Sequence, residues 1–153
     1  MAQKVKNKNI FDTRFKPDLT PKQMLKLGVF GGYYFEVNTK DISKEMIKLA
    51  NISKTGKKDP KLNYFKVRAS QSLAVWQKNG WINKADPNGW FEWYVKYFYG
   101  RRLEEEDDRQ IKRWMAMRRH IMQIKNNCRT GDIFCRPRQR QALLHWAYDS
   151  RKF

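Results

Sequence analysis

The run from Trp90 to Tyr99, WFEWYVKYFY, is broken by charge only at Glu92 and Lys96. Strict alternation, the mark of a half-buried strand, fails at Tyr97, Phe98 and Tyr99, so the run reads as a helix, with Asp86 as its cap and Pro87 in its first turn. Helical spacing puts Trp90, Trp93, Tyr94 and Tyr97 on one face and Phe91, Val95 and Phe98 on the next. A platform for stacking bases would interleave a few exposed rings with charge, whereas rings around most of the circumference predict a central core helix. Tyr99 is the ring expected to reach solvent.

The flanking patterns are also mostly helical. In TPKQMLKLG, Thr20 caps, Pro21 takes the first turn, Gln23 completes a capping box and Gly28 provides the exit. DISKEMIKLAN places Ile42, Met46 and Leu49 on one face behind Asp41, and SQSLAVWQKNGWI reads as a helix from about Ser70 to Gly80. LEEEDDRQIKRWMAMRRHIMQIKNN is the longest periodic stretch, with Ile111, Trp114, Met115, Ile121 and Met122 as its stripe and its acids at the positive end of the helix dipole. CRPRQRQALLHWAYDSRKF predicts a last helix opened by Pro137 and apolar at Leu143, Leu144 and Ala147. The glycines of GVFGGYYFEV follow a helix and precede a strand-like stretch, the reverse of the order in a phosphate-binding loop. The expected fold is mainly α: a compact single domain of about five or six helices over residues 19–153, behind a basic N-terminal arm, residues 1–18. A small β hairpin from residues near 33–37 and 64–67 completes the expectation.

Composition changes this picture chiefly through charge. The 153 residues carry 33 Lys and Arg against 15 Asp and Glu, a formal +18 that favours a polyanionic or acidic partner. Lysine dominates residues 1–70, with 14 Lys and 2 Arg, and arginine dominates residues 101–153, with 11 Arg and 3 Lys. Lysine is a hydrated point charge and arginine a planar fork suited to phosphate, so the arginines are the candidate contacts. No apolar run approaches the roughly 18 residues of a membrane span, which argues against membrane insertion. The start, MAQKVKNKNIFDTRF, lacks the apolar core of a secretory signal. These features imply an intracellular protein (nucleus, cytoplasm or virion) whose two cysteines are most simply reduced thiols.

The segments LGVFGGYYF, WQKNGWI, DPNGWFEWYVKYFYGRR and DDRQIKRW, covering roughly residues 25–115, resemble in kind and order an uncharacterised family of eukaryotic and large-viral proteins. The resemblance implies one integrated domain and carries over no activity, cofactor or site residue.

Four constellations bear on chemistry. Arg101, Arg102, Arg109, Lys112, Arg113, Arg118, Arg119, Arg136, Arg138 and Arg140 form a candidate nucleic-acid-binding set in the C-terminal third. The competing reading is pairing within the domain, Glu105 with Arg109 and Asp108 with Lys112, although seven acids cannot occupy all fourteen bases of that third. Cys128, Cys135, His120 and His145 have zinc-compatible chemistry, but six residues between the cysteines is not the tight spacing of common zinc modules, and a loop thiol pair or a disulfide fits better. Glu92 among aromatics, or Asp107 beside Asp108, could serve an enzyme; Glu92 pointing outward to Lys96 is the stronger reading, and adjacent aspartates on a helix diverge by about 100°. The function expected is non-enzymatic nucleic-acid binding through phosphates, without cofactor. A structural protein of a virion or other assembly docking on an acidic protein surface, and an enzyme acting on nucleic acid, are the alternatives.

Overall fold

A computed structural model of the chain describes residues 10–29, 64–66 and 89–153. The described part is helical, without strands: α1 (Pro21–Lys26), α2 (Trp90–Phe98), α3 (Glu104–Ala116), α4 (Arg118–Asn127), α5 (Pro137–Leu144) and a closing 3-10 turn (Ser150–Lys152). Helix α1 packs on α2, α2 on α3, α3 on α4, α4 on α5 and α5 on the closing turn. The helices expected near Asp41 and Ser70 lie outside the described residues, as do residues 33–37 of the expected hairpin. Of the hairpin's other strand, Tyr64 and Phe65 are instead a turn, followed by Lys66 at φ 55.

Helix α1 forms as its sequence dictates. Thr20 and Gln23 make the reciprocal capping box, each side chain bonded to the other's backbone N–H. At the exit Gly28 adopts φ 63, Gly28 N–H bonds to the Leu25 carbonyl at 3.0 Å and Val29 N–H to the Met24 carbonyl at 3.3 Å. That double closure requires a left-handed residue, which glycine supplies without a Cβ penalty.

Helix α2 is the core element its aromatic content predicts. Trp90, Phe91, Trp93, Tyr94, Val95 and Tyr97 are all buried, and Tyr99, just beyond it, is 60% exposed. The helix begins at Trp90, preceded by Gly89 at φ 95, and the expected cap Asp86 and Pro87 lie outside the described residues. The side chains carry their polar tips to partners: Tyr94 Oη donates to the Leu19 carbonyl at 2.6 Å, and Trp93 Nε1 to Asp107 Oδ1 at 2.8 Å.

The single long helix expected from residue 104 onward is two. Met117, at φ −65 and ψ −15, ends α3 and opens α4, its N–H bonding three residues back to Trp114 at 3.2 Å. Ile124 is consequently the fully buried residue of α4, while Met122, on the apolar stripe of an unbroken helix, is 56% exposed. Residues 10–18 are not a free arm either. Phe15 is 1% exposed inside the aromatic cluster, and Asp18 and Leu19 donate backbone bonds to Ala147 at 2.8 and 3.2 Å. Residues 1–9 of the expected arm lie outside the described residues.

Cys128 and Cys135 are joined in a disulfide, so the expectation of reduced thiols does not hold in this structure. The bond closes a short loop between α4 and α5. Alkylation of the unfolded, unreduced protein is expected to add no label, and two labels after reduction, as read by intact mass. Opening a loop of this length is expected to cost about 2.5 kcal/mol of stability, measured as the urea midpoint with and without reductant.

Candidate nucleic-acid interface

The ten basic residues singled out in the sequence divide by environment into structural and solvent-facing groups. Arg102 belongs to the fold: its guanidinium lies 3.7 Å from the Tyr97 ring centroid and donates to the carbonyls of Tyr97 at 2.6 Å and Ile10 at 2.9 Å. It ties the N-terminal segment to the end of α2, and Arg101 beside it is half-buried.

The bases of α3 are largely matched on their own helix. Arg109 pairs with Glu106 at 2.6 Å, one position from the expected Glu105, and Lys112 pairs with Asp108 at 2.9 Å as the helical spacing requires. Asp108 also takes Arg14 at 2.8 Å, and these two cations hold its carboxyl below the usual range. Arg113 donates to Gln110 Oε1 at 2.9 Å and covers Trp146 at 5.2 Å, and burial lowers its pKa.

Arg140 departs furthest from its expected role. It is 0% exposed, with Nε donating to the Cys135 carbonyl at 2.6 Å, Nη2 to the Asp132 carbonyl at 2.8 Å, and Nη1 to the main-chain oxygens of Ser150 and Phe153. A guanidinium so enclosed cannot reach phosphate; it fastens the disulfide loop to the C-terminal turn. The last helix's apolar stripe, traced back one turn from Leu144, lands on position 140, a signal the arginine's charge concealed.

What remains faces solvent on one stretch of chain. Residues 117–140 contain seven Lys and Arg and one acid, Asp132. Arg118, Arg119, Lys125, Arg129, Arg136 and Arg138 are exposed, on α4, the disulfide loop and the start of α5. Arg118 is partly engaged, over Trp114 at 5.3 Å and near the Tyr148 hydroxyl, which burial pushes up to about 12 against the pull of Arg118. Arg136 Nη1 donates to Gln139 Oε1 at 3.1 Å, and Gln139 Nε2 in turn lies 3.2 Å from His120 Nδ1, so α4 and the start of α5 present one polar surface. Burial and the neighbouring Arg119 lower the His120 pKa, disfavouring a further charge there. Lys125 and Arg129 were missing from the sequence-based set, although the absence of any acid from residue 109 to 131 marked that stretch.

The alternative chemistries find little geometry. Asp107 accepts from Trp93 with one oxygen and from the Leu103 N–H at 2.8 Å with the other, so it fastens the start of α3; burial raises its pKa. Glu92 pairs with Lys96 at 2.9 Å but is buried, not outward-pointing as expected. With both cysteines in the disulfide, the thiolates of the zinc reading do not exist, and among the described residues no three His, Cys, Asp or Glu side chains form a metal-binding group. No helix among the described residues is long and apolar enough to cross a membrane. The chain matches no family model, no curated protein and no solved structure.

Proposed function

We propose that the protein binds nucleic acid through phosphate contacts made by Arg119, Lys125, Arg129, Arg136 and Arg138, without catalysing a reaction. The observation that carries this reading is the exposed cation density of α4, the disulfide loop and the start of α5, where one acid faces six exposed bases. Surface pairs such as Arg109–Glu106 offset charge locally on α3, whereas this stretch lacks the acids to do so. A polyanion supplies them, and its released counterions drive the association.

The test is a salt series on duplex and single-stranded oligonucleotides. The log of affinity is expected to fall against log salt by about 0.9 per contacted phosphate on duplex DNA and about 0.7 on single strands. Combined charge reversal of Arg119, Arg129 and Arg138 is expected to flatten the duplex slope by roughly 2 to 3, while reversal of the paired Arg109 leaves it nearly unchanged. Absence of binding at low salt, or a slope indifferent to the triple reversal, would refute the reading; a specific complex with an acidic protein in its place would favour the assembly role.

A further inference from the structure

Phe134 is 83% exposed, more than any other large hydrophobic side chain among the described residues. It is not displayed by a loose tail. The Cys128–Cys135 bond closes the loop that carries it, and Phe134 N–H bonds to Asp132 Oδ1 at 3.3 Å. The buried Arg140 holds the carbonyls on either side of it, those of Asp132 and Cys135. The backbone is thus fixed on both flanks of a ring that projects into water.

The surroundings specify what such a ring would meet. Arg129 precedes it, Arg136 and Arg138 follow it, and all three are exposed. An apolar ring flanked along the chain by exposed arginines suits a ligand that offers flat π-faces joined by anionic links. Bases in a duplex hide their faces in the stack; those of a single strand present them, and stacking on an aromatic tolerates any base. Because the loop is already ordered, little conformational entropy is lost when the ring is engaged.

We infer that Phe134 is a stacking platform for an unpaired base, with the flanking arginines on the adjoining phosphates, and that the protein prefers single-stranded to duplex nucleic acid. This rests on the nucleic-acid reading above and adds the form of the ligand.

The experiment uses the full, oxidised chain with fluorescently labelled oligothymidylate and a duplex of equal length. The preference predicts tighter binding of the single strand at equal salt. Phe134→Ala is expected to weaken single-strand binding about tenfold or more, with duplex binding changed less than about twofold, and Phe134→Trp to restore it. An unchanged melting temperature verifies that the exposed position leaves the fold intact. Equal affinity for both forms with no effect of Phe134→Ala overturns this inference and leaves the phosphate-binding proposal standing; no binding of either oligonucleotide removes both. An equal loss on duplex and single strand makes Phe134 a wedge between base pairs and overturns the preference. A Phe134→Ala loss confined to vesicles containing anionic lipid, with oligonucleotide binding untouched, assigns the loop to a membrane surface and also overturns it.

Discussion

Arg140→Ala is expected to lower the stability of the protein by about 3–5 kcal/mol, a loss larger than that from any other arginine in the C-terminal third. The guanidinium is fully enclosed, and among the described residues no Asp or Glu side chain pairs with it; it donates to main-chain oxygens at positions 132, 135, 150 and 153. Burial lowers its pKa, with Asp132 partly opposing, and the main-chain hydrogen bonds hold the charge in place. Removing the side chain leaves the buried Ser150 carbonyl and three part-buried main-chain oxygens without this donor and opens a cavity, the two circumstances in which a polar deletion is most costly. Arg140→Lys should recover only part of the loss, because an ammonium cannot reproduce the planar fork that reaches both the disulfide loop and the C-terminal turn. Urea denaturation of both variants checks this; a change below about 1 kcal/mol for Arg140→Ala would place the guanidinium outside the core.

The same residue shows where charge misleads. Arg136, Arg138 and Arg140 look alike as a basic cluster, yet the first two are exposed and the third is buried. Only helical register separates them, since position 140 continues the stripe of Leu144 and Ala147. The elements dominated by local chemistry were legible: the capping box at Thr20, the exit at Gly28 and the aromatic content of α2 each follow from side chains interacting within a few residues. The break at Met117 was not, because no proline or glycine marks it and apolar periodicity runs through it. The disulfide is likewise not legible, since cysteine spacing does not say whether two thiols meet.

The fate of the bases follows the same division. Pairing along α3 could be anticipated from i,i+3 and i,i+4 spacing, whereas the roles of Arg102 and Arg14 depend on contacts with residues about 90 positions away. Long-range partners carry no local signature. The exposed set on α4 and the disulfide loop is what is left once those structural roles are subtracted, and it includes Lys125 and Arg129, which carry no motif of their own.

Phe15→Ala is expected to be comparably damaging, at about 3–5 kcal/mol, although the residue lies in a segment that the sequence marks as a basic N-terminal arm. The Phe15 ring lies 5.0 Å from Trp114, 5.4 Å from Trp93 and Tyr94, 5.6 Å from Tyr97 and 6.1 Å from Trp90, with edge-on geometry throughout. Such contacts add to the transfer free energy of a side chain that is 1% exposed, and the surrounding indoles, of which Trp90 and Trp93 are held by their own hydrogen bonds, are too large to collapse into the space. Phe15→Leu fills most of the volume and forfeits the edge-on ring contacts, so it should cost roughly 1–2 kcal/mol. If residues 10–18 were only a basic arm, both substitutions would fall within about 0.5 kcal/mol of the parent, as surface changes do. Thermal or urea unfolding therefore separates the two roles of the N-terminal segment. The expected order, alanine far below leucine and leucine below the parent, makes Phe15 the residue through which that segment completes the core shared by α2 and α3.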